Sequence, residues 1–141
     1  MQRGNDHMFK ITPINDKKLQ EHFALACGAN FNEDFFAYAM TDAQTGDIMG
    51  FSQFEIDGDF GYISALCAKV GYEDFEAMFI LGRATMNFID TCGAHKCRAS
   101  INAADERLIK AIGFKLCDGE YICDMKGMFD GHCDGHAVEL K

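Results

Sequence analysis

The chain is short of positive charge: 13 lysines and arginines stand against 22 aspartates and glutamates, for a formal net charge of −9. Nucleic acids and anionic membrane surfaces are held by basic patches, so this balance argues against both and favours a cationic or neutral partner. A long apolar run is missing too. Although 48% of the residues are hydrophobic, none of the runs approaches the roughly 18 apolar residues that cross a bilayer. Membrane is therefore not an expected partner, and a soluble chain is. Proline is nearly absent, with Pro13 alone just past the strand-like Met8–Thr12. No signal-peptide pattern opens the sequence. The seven cysteines, Cys27, Cys67, Cys92, Cys97, Cys117, Cys123 and Cys133, form an odd and scattered set, most of them inside apolar segments. That usage predicts free thiols packed as small hydrophobes in a reducing, cytoplasmic setting rather than a disulfide framework.

What is present is enough for one domain, since 141 residues support a single core. The expected domain runs over residues 8–126, with a polar leader at 1–7 and a tail at 127–141. Its centre is the stretch from Tyr62 to Ala94. Residues 62–70 are rich in apolar and small residues with no breaker until Gly71, as in a buried strand. Phe75, Met78, Phe79, Gly82, Met86 and Ile89 then recur at the spacing of one helical face, and Gly93 offers a helix stop before strand patterning resumes over Ala94–Ile101. Strand, tight junction, helix and strand make a crossover unit. Its junction turns free N–H groups of a helix N-terminus outward, where an anion can sit.

Before this unit, Leu19, Phe23, Ala26 and Cys27 mark a helix that starts near Asn15 or Asp16 and stops at Gly28. The polar residues 29–34 are too few for a second helix. Phe35–Thr41, Ile48–Ile56 and the strand from Phe60 read as an antiparallel meander, its second turn at Asp57-Gly58-Asp59. Gly50 and Ser52 share one face of the middle strand, and a helix packed over that face is the favoured reading. After the unit, Asn102 is placed to cap a helix buried by Leu108, Ile109 and Ile112, with Asp105 completing a capping box. A hairpin hinged at Asp118-Gly119 ends the pattern, and an open edge there would allow a homodimer.

Residues 62–94 resemble the central motif of the GNAT acyltransferase superfamily, in which Arg/Gln-x-x-Gly-x-Gly/Ala cradles the pyrophosphate of acetyl-CoA. The family pattern lays on without a gap from Tyr62 to Ala94. Its second landmark, an Asn followed by a short helix ending in Gly-Phe, matches Asn102, Leu108, Gly113 and Phe114. The resemblance implies an α/β (α+β) domain: a mixed sheet of about seven strands with helices on both faces. It implies acetyl-CoA or another acyl-CoA as donor, a small-molecule or peptide amine as acceptor, and direct attack on the thioester. It places backbone groups near Cys67 and Ala68 on the pantetheine, the N–H groups of Glu76, Ala77 and Met78 toward the phosphates, and Asn102 on the arm.

At the phosphate-binding positions, however, the chain has Glu73 for the Arg/Gln, Glu76 for the first Gly and Met78 for the second. Side chains there crowd a phosphate, and Glu73, Asp74 and Glu76 oppose its charge. The same acids suit an ordinary helix N-terminus, each contributing roughly 0.3–1 kcal/mol. The usual general-acid Tyr is Ile109, which carries no proton to give. No catalytic acid or base is assigned. The expectation is a GNAT-like protein with an eroded acetyl-CoA site, an altered or inactive acyltransferase; the alternative is a binding module that uses the cleft between the central strand and the next.

Three further groupings have bland readings that outweigh the functional ones. Asp130-Gly131-His132 and Asp134-Gly135-His136 around Cys133 could offer zinc ligands, yet match no established spacing, so no metal is expected. His95 and Cys97 are two apart and could pair as base and nucleophile, but lack an evident orienting Asp or Asn. Glu55, Asp57 and Asp59 cluster at a turn, where some GNAT enzymes keep a general base and where most proteins keep a solvated hairpin.

Overall fold

The computed structural model describes residues 8–129, in which the elements run β1 (Phe9–Pro13), α1 (Lys17–Ala26), β2 (Phe36–Asp42), β3 (Ile48–Asp57), β4 (Phe60–Ala68), α2 (Phe75–Thr91), β5 (Lys96–Ala99), α3 (Glu106–Ala111), β6 (Lys115–Cys117) and β7 (Glu120–Asp124). The strands form one seven-stranded sheet in the order β1-β2-β3-β4-β5-β7-β6. Strands β4 and β5 are parallel because α2 carries the chain back across the sheet between them; the other pairs are antiparallel, and short turns join β2 to β3, β3 to β4 and β6 to β7. The mixed α/β sheet expected from the sequence is therefore present. No helix of the described residues is long and apolar enough to cross a membrane.

Helix α1 covers one face, over Ala37, Ala39, Phe51 and Ala65. The Asp16 carboxylate caps it by accepting the Lys18 N–H. Helix α2, with α3 beside it, covers the other face over Met40, Phe54, Ile63 and Leu66. The buried stripe of α2 is Ala77, Met78, Leu81, Gly82, Thr85, Met86 and Ile89. Fully burying a Leu, Met or Ile contributes roughly 1.5–3 kcal/mol. Phe75 and Phe79, expected on this stripe, lie at its margin instead. Arginines cover their rings: the Arg107 guanidinium stands 4.0 Å over Phe75 and that of Arg83 5.0 Å over Phe79. Gly93, at φ 101, ends the helix as its sequence position suggested.

Helix and sheet meet through small residues. A Cβ at Gly50 would lie 2.5 Å from Met78 Cε and 3.3 Å from both Leu81 Cδ2 and the Cys67 carbonyl oxygen. Two steps along β3, Ser52 donates to Thr85 Oγ1 at 2.8 Å, since the Thr85 hydroxyl proton is spent on the Leu81 carbonyl. The packed helix favoured for this face is what the structure shows. The cap of α3 differs from expectation. Asp105, not Asn102, is the N-cap and accepts from the Leu108 N–H, so the helix starts at Glu106 and no capping box forms.

Gly50→Ala is expected to destabilise the fold by about 1–3 kcal/mol through overpacking, measured by urea unfolding. Adding Met78→Ala should recover part of that loss relative to Met78→Ala alone. Strict additivity of the two substitutions would disprove the contact.

Candidate active site where two strands part

Pairing of β4 with β5 covers Phe60–Ile63 against Lys96–Ala99 and ends with the Ser100 N–H on the Ile63 carbonyl at 3.0 Å. The next residue, Ser64, is an extra one. Gln53 of β3 faces Ala65 whereas Phe54 faces Ile63, so Ser64 bulges out of the ladder. From the bulge onward β4 keeps β3 on one side and loses β5 on the other. The loop after β5 enters the opening just once, placing the Ala103 carbonyl on the Leu66 N–H at 2.8 Å. Further along, the Lys69 N–H bonds Met49 in β3. Strand alternation then turns the N–H and C=O of Ala68 toward the opening and keeps those of Cys67 on the β3 ladder.

On the α2–α3 face the opening becomes a groove of about 440 Å³, lined by Leu66, Cys67, Ala68, the 72–75 junction, Met78 and the start of α3. Its closed end is the N-terminus of α2, where the local acids have a definite arrangement. Asp74 caps the helix: its Oδ1 accepts the Ala77 N–H at 3.0 Å and its Oδ2 accepts the Tyr72 hydroxyl at 3.1 Å. The Met78 N–H is spent on the Asp74 carbonyl. Of the first-turn donors, the N–H groups of Phe75 and Glu76 have no partner among the described residues. Two N–H groups thus remain for an anion at this helix end. The chain's own carboxylate occupies part of the dipole's positive end, and Glu73 lines the same groove.

The opposite face of the opening carries a second groove, of about 590 Å³, between the 27–32 segment, Gln53 and Tyr62–Cys67 of the sheet, and the 100–104 loop. Cys67 and Ala104 line both grooves, so the two cavities meet across the sheet where the strands part. A buried amide network shapes the second groove. Gln53, 1% exposed, accepts the Asn32 N–H and the Gln20 amide, and donates to the Asn30 carbonyl and to Ser64 Oγ. Gln20 donates in turn to the Asn32 carbonyl and accepts from Lys17. The loop between α1 and β2, without a helix of its own, is thereby tied to the sheet.

No protein-family model and no curated protein matches the chain. Solved structures do. An IAA acetyltransferase from Bacillus cereus ATCC 14579 superimposes with a TM-score of 0.66 at 12% identity, covering 83% of this chain and 99% of that one. The ribosomal-protein-S18-alanine N-acetyltransferase from Escherichia coli gives 0.61 at 16%, covering 82% and 91%. The PaiA N-acetyltransferase from Thermoplasma acidophilum, in complex with coenzyme A, gives 0.62 at 12%, covering 82% and 96%. The chain has the GNAT N-acetyltransferase fold.

On this GNAT frame the expected site residues separate. Cys67 and Ala68 line the α2-side groove; Ala68 offers it backbone groups, whereas Cys67 offers only its side chain. Glu76 is exposed and outside the lining, because its position on α2 points it away. Ala77 is buried, its N–H taken by Asp74. Met78 is a core residue at the groove's edge, filling the space that Gly50 leaves. Asn102 lies on the other face, lining the second groove, with its N–H on Ser100 Oγ. Ile109, at the general-acid position, is fully buried.

His95 does have an orienting acid, contrary to expectation: Asp90 Oδ1 lies 2.6 Å from its Nδ1. The ring is exposed, however, and Cys97 is buried, its thiol pushed up to about 12 by burial and by Cys123. The two do not form a working pair. Glu55, Asp57 and Asp59 line neither groove. Residues 130–136 lie outside the described residues, among which no cluster of three or more possible metal ligands stands together. The Gln20–Gln53 network escaped the sequence reading. Its one signal was a glutamine on the apolar side of each element, next to Phe23 and Phe51 in the same core.

Burial pushes the Cys67 thiol up to about 11; burial and Cys67 itself push Cys27 to about 12, Lys69 opposing. Exposed Cys92 and Cys117 lack that protection. Brief iodoacetamide treatment near neutral pH is expected to label Cys92 and Cys117 well before Cys27, Cys67 and Cys97, as read by peptide mass spectrometry; early labelling of Cys27 would contradict the packing.

Proposed function

We propose that the protein is an acyl-CoA:amine N-acyltransferase with a remodelled, weakened donor site, formed by the domain at residues 8–126. The observation that supports this most is the meeting of two grooves at Cys67 and Ala104, on opposite faces of the opened sheet. A thioester entering from the α2 side and an amine entering from the α1 side reach each other only there. The neighbours in complex with coenzyme A lend the donor class its support.

In this reading Ala68 holds the pantetheine amide through its backbone, as a short added strand is held. Phe75 and Glu76 supply the remaining N–H groups near the phosphates. The thioester carbon is attacked directly, and the thiolate leaves without a side-chain acid. Thiols ionise near pH 8.5, so such a leaving group needs little help. Asp74 lowers donor affinity by holding the Ala77 N–H and by placing negative charge where the diphosphate would sit.

The test is Asp74→Ser, which keeps a capping oxygen while removing the charge. Stability without ligand should change by under about 1 kcal/mol. Millimolar acetyl-CoA should barely raise the melting temperature of the native chain and should raise that of Asp74→Ser clearly and saturably. A strong shift of the native chain and none in the variant would overturn the role given to Asp74. Absence of a shift in both would favour the binding-module alternative.

A further inference from the structure

The second groove has a property that its overall charge hides. Although the chain carries a net charge of −9, no Asp, Glu, His, Lys or Arg lines this cavity. We propose that this groove accepts an amine already uncharged near neutral pH, the free α-amino group of a peptide, and discriminates against lysine side chains and polyamines. The inference rests on the acyl-transfer reading above and names its acceptor.

An ammonium group seated here would meet no counter-charge among the residues that line the groove. Nor is there a base to take its proton. Facing the cavity, the end cap of α1 contributes Cys27, and β4 contributes Tyr62 and Cys67; the two thiols are held in their protonated form by burial. From the neighbouring loop, Glu33 and Asp34 point to solvent, and from β3, Glu55 lies beyond Gln53 and outside the lining. The 100–104 loop adds no ionisable side chain. The acceptor must therefore bring its own lone pair. An α-amino group, with a pKa of about 7.7–8.0, is roughly a quarter neutral at pH 7.4, against about a thousandth for a lysine of pKa about 10.4.

The lining also suits a peptide. The side-chain amides of Asn30 and Asn102, from two different loops, line the cavity and have no hydrogen-bond partner among the described residues. Each offers a donor and an acceptor, the complement of a peptide bond. In the reaction the neutral nitrogen forms the new C–N bond, the C–S bond breaks, and the departing thiolate is matched by the one proton the nitrogen then loses to water.

The experiment uses the full chain with acetyl-CoA and follows thiol release with two acceptors, Ala-Ala-Ala amide and Nα-acetyl-lysine amide. The tripeptide is expected to show a kcat/KM about 100-fold higher near neutral pH, and its profile should rise with pH and level off at the acceptor's own pKa, about 8. Glu55→Gln should leave that profile in place. A lysine acceptor that works equally well, or a break at lower pH that ignores the acceptor and disappears in Glu55→Gln, would overturn the inference while leaving acyl transfer standing. Thiol release with neither acceptor would instead defeat the acyl-transfer reading and this inference with it.

Discussion

The contact between the Ser100 N–H and the Ile63 carbonyl is where this structure is decided. It is the last bond of the parallel ladder before Ser64 bulges from β4, and everything beyond it follows from the loss of one neighbouring strand. A central strand ordinarily has both edges paired. Here its second half has one edge open to whatever can bond the backbone, and the two cavities exist because that edge is open. The helices do not create the site; they wall it. Helix α2 closes one cavity with its N-terminus, and the C-terminal end of α1, pinned by the Val70 N–H on the Ala26 carbonyl to the segment that follows β4, closes the other.

Two electrostatic choices give the cavities different characters. At the α2 terminus the positive end of the helix dipole is answered internally, by Asp74 with Tyr72 bracing the carboxylate. A ligand anion there must compete with a tethered one that is always present, and in the proposed acyltransferase the donor is held by the arm more than by the phosphates. In the other cavity polarity is supplied without charge. Gln53 and Gln20 satisfy each other and the loop backbone, so the walls are polar yet neutral. Affinity for cations at the surface of so acidic a chain and selection inside the groove are thus separate matters.

Most of the fold could be read from the sequence because its signals are local. The helix stop at Gly93 and the two-residue turns at Gly58-Asp59 and Asp118-Gly119 depend on backbone angles that few residues adopt, and these fixed the hairpins and the crossover. The site was less legible because it depends on direction. The spacing around Glu76 and Met78 suggested a crowded phosphate cradle, whereas one side chain points to solvent and the other fills the hollow over Gly50. The residue that occupies the helix end, Asp74, was visible only as one acid among three. The bulge left no mark, since Ser64 sits in an unbroken run of strand-forming residues and a one-residue slip changes no composition. Asn102 kept its family position while its cap role passed to Asp105, three residues on, where the carboxylate reaches the Leu108 N–H.

In the proposed acyltransferase the opened edge of β4 grips the donor's arm, while the α2 terminus, partly answered by Asp74, grips its diphosphate weakly. Amide chemical shifts of the labelled chain during titration with coenzyme A test this most directly. The Ala68 amide is expected to move most and the Ala77 amide to stay in place. Large shifts at Ala77 and its first-turn neighbours, with Ala68 unmoved, would contradict it.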